Sequence, residues 1–93
     1  MGGEFVLVRT RDAGVHCGEL AEYGDGCVLL RNARRVWRWR GANSLSEMSL
    51  HGAAEEYTRI SEPVERITLI GVIEILYPTP VARANLERSR WAA

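Results

Sequence analysis

The sequence predicts one α+β domain, mainly β, over residues 1–93. Its expected form is a small antiparallel sheet or partly open barrel, with a short helix after the fourth strand and a short C-terminal helix. Two observations predict this. Apolar runs of strand length recur between Gly, Asp and Asn turn signals, and helix-start signals stand at Ser44 and at Thr79-Pro80.

Phe5-Val6-Leu7-Val8-Arg9 reads as a first strand, followed by the polar loop Thr10-Arg11-Asp12-Ala13-Gly14. Strand character resumes over 15–21, and Tyr23-Gly24-Asp25-Gly26 is a turn signal before Cys27-Val28-Leu29-Leu30, so these two runs form a hairpin. Asn32 is expected to mark another reversal, with a fourth strand over 34–40. That strand puts Arg35, Trp37 and Trp39 on one face and Arg34, Val36, Arg38 and Arg40 on the other. An ordinary half-buried strand alternates apolar with polar, yet here each face carries an arginine, which points one face at a ligand or another subunit.

Gly41-Ala42-Asn43 breaks the strand. Ser44-Leu45-Ser46-Glu47 then fits a capping box that opens a short helix fading near Gly52, with Leu45 and Met48 toward the sheet. A short strand over 58–61 follows, and Pro63 precedes the longest apolar run, 67–76. This run is β-branched and too short to span a membrane as a helix. Gly71 interrupts it, so it is expected to be a central strand with a bulge or bend that anchors the core. Thr79-Pro80 sets an N-cap followed by proline at the first helical position, for a terminal helix through Leu86. Trp91 suits a docking anchor for the chain end.

Twelve basic and twelve acidic residues give zero net charge, which argues against non-specific coating of duplex DNA or of an anionic membrane. All twelve bases are Arg, a choice that bidentate contacts and a GC-rich genome both explain. At 93 residues the core is small, so self-association is an expected source of stability. Cys17 and Cys27 lie in apolar runs and no secretory signal is evident, which fits a reduced intracellular protein. His16, His51 and the two cysteines lack metal-ligand spacing, and His16 points away from Cys17 across the strand. No paired carboxylates, nucleophile dyad or metal set is legible, so no catalytic residue, metal or cofactor is assigned and the chain is read as a non-enzyme.

Charge is segregated instead of excessive. Arg31-Asn32-Ala33-Arg34-Arg35-Val36-Trp37-Arg38-Trp39-Arg40 holds five of the twelve arginines and two of the three tryptophans, with no acid among them. Planar cations interleaved with aromatics suit a phosphorylated, stackable ligand such as a nucleotide. A half-buried strand with a solvated arginine face has the same composition.

The pattern Phe5-Val6-Leu7-Val8-Arg9-Thr10, Ala13-Gly14-Val15-His16 with Gly18 and Leu20, Ala33-Arg34-Arg35 with Trp37 and Trp39, Gly41-Ala42 and Ser44-Leu45 resembles a family of short phage and prophage proteins. The likeness continues through Val64, Ile67, Glu74-Ile75, Pro78, Thr79 and Trp91. That family is similar to the anti-Thoeris sponges, oligomeric proteins that sequester cyclic ADP-ribose-type signals made by bacterial TIR defence proteins, some of which also hold cyclic di- or trinucleotides. The resemblance therefore implies a phage anti-defence protein of the host cytoplasm, a homo-oligomer of dimer size or larger, that sequesters a cyclic nucleotide signal without cleaving it. Arg38, Arg40 and Asp12 depart from the wider pattern, so the ligand is expected to differ from that of the relatives.

On this reading Arg34 and Arg35 meet phosphate, Trp37 or Trp39 stacks on a base, Arg9 and His16 meet polar groups of ribose or base, and Gly14 lets the backbone approach closely. Ser44 is first an N-cap, at a helix start that could also hold an anion. One of the two tryptophans equally fits a core or interface anchor, and His16 a satisfied strand histidine. A single-stranded nucleic-acid binder and a structural or host-interacting phage protein remain as the other classes.

Overall fold

The computed structural model describes residues 3–39, 42, 44–54 and 58–89. Its elements in order are β1 (Phe5–Thr10), β2 (Val15–Gly24), β3 (Cys27–Arg38), α1 (Leu45–His51), β4 (Arg59–Ile60), β5 (Val64–Ile70), β6 (Val72–Leu76) and α2 (Pro80–Arg88). The expected α+β, mainly β architecture holds, as an antiparallel sheet of 6 strands.

Gly24 pairs with Cys27, leaving Asp25 and Gly26 as a two-residue loop with φ of 53° and 76°. Two positive φ values are what a type I′ hairpin turn requires, and Asp-Gly supplies them at low cost. The expected reversal at Asn32 is absent. Asn32 takes φ 49° inside β3, where the register with β2 passes from Cys17↔Arg34 to Glu19↔Arg31. The left-handed conformation that asparagine tolerates makes a bulge here, so the expected third and fourth strands are one, and the first helix follows β3.

The bulge lets β3 serve two partners. Its first half pairs with β5, from Cys27↔Ile70 to Ala33↔Val64, and its second half pairs with β4. β6 pairs with β1, and Gly71 at φ 76° turns β5 into β6, so one bent strand reaches from β3 to β1. The expectation that 67–76 forms a central strand is corrected accordingly. Among the described residues each half pairs with one neighbour only, no layer covers its outer face, and Ile70 and Ile73 are exposed while Leu69 is buried.

β1 is buried on both faces, which explains its unbroken apolar sequence. Val6 and Val8 pack with Val28, Leu30, Ala33 and Leu69 inside the curled sheet. Leu7 faces the helices and packs with Cys17, Val36, Ile60, Leu45, Met48 and Leu86. Ser44 caps α1 by accepting from the Glu47 N–H at 3.2 Å, and Thr79 caps α2 by accepting from Ala82 N–H at 3.1 Å. Thr79 also donates to the Leu50 carbonyl at 2.8 Å, and Asn85 exchanges two 2.8 Å bonds with the Ala53 backbone, tying the helices together. Trp91 and Arg40 lie outside the described residues.

Candidate ligand cleft at the β1–β2 loop

The cleft begins with Thr10. Its hydroxyl donates to the Gly14 carbonyl at 2.9 Å and accepts from the Ala13 N–H at 2.8 Å, so the loop closes on the side chain that starts it. Gly14 adopts φ 81°, a conformation that a side chain would strain. From beneath, Nε2 of His16 lies 2.8 Å from the Ala13 carbonyl and donates to it, because a carbonyl only accepts. The loop is therefore held at both ends before any ligand arrives.

Strand pairing sets the opposite wall. Val15↔Val36 and His16↔Arg35 place the end of β3 beside this loop, and a cleft of about 420 Å³ opens between Asp12, Ala13, Gly14 and Val15 on one side and Arg35, Val36, Trp37 and Trp39 on the other. Arg35 is exposed at its side chain, but its backbone is fixed: its N–H donates to Ser61 Oγ at 2.7 Å and its carbonyl accepts from Ser61 N–H at 2.9 Å. The register with β4 advances two residues on β3 for one on β4 at Trp37. This bulge breaks the expected alternation. Trp37 stays exposed, whereas Trp39 packs against the core that faces the helices.

Four of the expected site residues, Gly14, Arg35, Trp37 and Trp39, thus line one cleft. The other four do not. Arg34 is corrected from a phosphate ligand to a structural clamp, because its guanidinium donates to the carbonyls of Ile60, Ser61, Leu86, Glu87 and Ser89. With five N–H donors on five carbonyls, no donor remains for an anion. Arg9 stands on β1 with its nearest acid, Glu74, at 3.9 Å, both exposed. Ser44 is committed to capping α1, which at seven residues is too short for an anion site. His16 is enclosed behind Arg35, lining a separate cavity with it. Asp12, Ala13, Val15 and Val36 were not expected in the site. The hairpin register alone could have found them, since it sets the residues before Val15 beside those after Val36.

Burial holds the His16 ring pKa below its ordinary value, and the positive charge of Arg35 pushes the same way, against the Ala13 hydrogen bond. The unfolded chain therefore takes up a proton below about pH 6.5 where the folded chain does not, so stability is full above that value and falls as pH drops toward the folded pKa. Urea midpoints at about pH 7.5 and about pH 5 should show this loss, and His16→Gln should reduce it. An unchanged slope in that variant would assign the acid sensitivity elsewhere. Burial also pushes the Cys17 thiol up to about 12, far from a reactive thiolate, on the face opposite His16.

Among the described residues no group of three or more His, Cys, Asp or Glu side chains gathers, and no helix is long and apolar enough to cross a membrane. A family match spans residues 3–86 and so covers every wall of the cleft. The chain belongs to the family described as Domain of unknown function (DUF6948). The DUF6948 match carries no activity with it. No curated protein and no solved structure matches the chain.

Proposed function

We propose that this DUF6948 protein is a phage anti-defence protein of the host cytoplasm that binds a cyclic nucleotide immune signal, of cyclic ADP-ribose type or a cyclic oligonucleotide, and holds it without cleaving it. The observation that carries the reading is the cleft itself: Arg35, Trp37 and Trp39 face a loop already fixed by Thr10 and His16. Its 420 Å³ falls within the roughly 300–1,000 Å³ of small-molecule sites. An exposed indole supplies a stacking surface for a base and a guanidinium a fork for phosphate, while Asp12 across the cleft can accept from a ribose hydroxyl or an amine. Sequestration needs only such pre-organised contacts.

Thermal shift against cyclic ADP-ribose isomers, cyclic di- and trinucleotides and ADP-ribose tests it, because a ligand bound only by the folded state raises apparent stability. Excess protein should deplete the bound nucleotide from solution, and heat-denaturing the complex should return it intact. Recovery of a linearised product in molar excess over protein would make the chain an enzyme. A single-stranded nucleic-acid binder is the second reading, favoured by Arg38 lying opposite Arg59 beside Trp37. Its affinity would fall steeply with salt, whereas the cleft's should fall less.

The proposed protein is a homo-oligomer. Val64, Ile70 and Ile73 expose apolar surface along the bent β5–β6 strand, which nothing in one chain covers among the described residues. Light scattering at tens of micromolar should give a mass of at least two chains, and a monomer mass would remove this part of the reading.

A further inference from the structure

His16 is almost wholly enclosed, yet among the described residues only one of its ring nitrogens has a hydrogen-bond partner. Nε2 carries the proton that it gives to Ala13, so in the neutral ring Nδ1 is a bare acceptor. Nδ1 makes no hydrogen bond to the described residues, and no fully sealed side-chain nitrogen or oxygen among them lacks one. Nδ1 therefore opens onto space, and the space that His16 lines is a cavity of about 80 Å³ walled by Ala33, Arg35, Ser61, Val64 and Ile67. Arg35 also lines the cleft and is the residue common to the two spaces.

The cavity has room for two or three waters at about 30 Å³ each, or for a substituent, but not for a ring system. Its polar character is simple. Ser61 Oγ accepts from Arg35 N–H at 2.7 Å and donates to the Glu62 carbonyl at 3.2 Å. Ala33, Val64 and Ile67 are apolar. Among the side chains, Ser61 Oγ keeps one lone pair, and the ring acceptor His16 Nδ1 stands with the donors of Arg35. A group that enters must donate to Nδ1 and carry an acceptor alongside for Arg35, while an entering carbonyl would set its oxygen against the Nδ1 lone pair.

We infer that this cavity is a donor-reading subsite of the cleft, selecting a nucleotide whose base presents an amino group beside a ring nitrogen over one that presents a carbonyl there. The inference rests on the cleft being a nucleotide site. Its ligand class is the 6-aminopurine edge, an amine donor next to the N7 acceptor, as against the 6-oxopurine edge, which offers two acceptors.

Calorimetry on the full chain with two probe pairs tests it: ADP-ribose against its hypoxanthine counterpart, and cyclic di-AMP against cyclic di-IMP. Members of each pair share the N7 acceptor and differ at purine position 6, amino against oxo, the oxo form also carrying a proton on N1. The wild type should prefer the amino member of whichever pair it binds by about tenfold or more. His16→Gln keeps an amide N–H where Nε2 stood but has no atom in place of Nδ1, and should reduce the preference to about threefold or less. His16→Asn puts its amide where Nδ1 stood and should keep the preference even with a looser loop; it decides the matter if the glutamine variant does not fold. Equal binding of the two members by the wild type, an unchanged preference in a folded His16→Gln, or its loss in His16→Asn overturns the subsite and leaves the cleft reading standing. If the wild type binds none of the four, the subsite falls with the ligand class it names, and the wider thermal-shift panel decides the cleft reading by itself.

Discussion

Replacing Arg34 by alanine should destabilise the fold by about 3–5 kcal/mol, a fall of roughly 15–30 °C in Tm for a domain of this size. The guanidinium joins two pieces of chain that are far apart in sequence, the end of β4 and the end of α2. Nε donates to Ser61 O at 2.7 Å and Nη2 to Ile60 O at 3.2 Å, fixing β4 on the sheet edge. Nη1 donates to Leu86 O at 3.2 Å and Glu87 O at 3.4 Å, and Nη2 also reaches Ser89 O at 2.5 Å, at the C-terminus of α2. There the helix dipole adds to the attraction for a cation. Charged hydrogen bonds contribute about 1.5–3 kcal/mol each, but some freed carbonyls would regain water, so the loss stays well below the sum. Arg34→Lys should recover less than half of it, because one ammonium cannot span both carbonyl sets. Urea unfolding measures both, and an alanine variant within about 1 kcal/mol of wild type would end the clamp assignment.

Arg34 also shows where sequence reasoning stops. Alternation alone sends Arg34 and Arg35 to opposite faces, but which face meets a ligand depends on α2 docking through contacts 52 residues downstream. No short-range pattern contains that. The features that were legible are local ones: Asp25-Gly26 as a two-residue turn, Ser44 and Thr79 as N-caps, and the apolar β1 run. Asn32 was misleading because the same left-handed conformation serves a reversal and a bulge, and only the pairing of both its flanks with β2 makes it a bulge. Ile70 and Ile73 were misleading because β-branched composition reports strand, not depth. The cleft was half legible: Gly14, Arg35, Trp37 and Trp39 meet, whereas the inner cavity depends on Ser61 and Val64 arriving from later strands.

Arg35→Ala should give the opposite pattern from its neighbour: nucleotide affinity about 1.5–3 kcal/mol weaker, some 10- to 150-fold, with stability within about 0.5 kcal/mol of wild type. The asymmetry follows from what each side chain holds. Arg35 is tied to Ser61 through its own N–H and carbonyl, both of which alanine retains, and its exposed guanidinium lines the cleft. Trp37→Ala should weaken binding by about 1–3 kcal/mol through lost stacking. The two together should fall short of the sum of the single losses if base and phosphate are held as one rigid ligand, since either loss loosens the contact that remains. Calorimetry with the nucleotide that gives the largest thermal shift measures the affinities, and urea midpoints the stability. Normal binding by Arg35→Ala, or its unfolding, would make this arginine structural like its neighbour and move the site away from the β1–β2 loop.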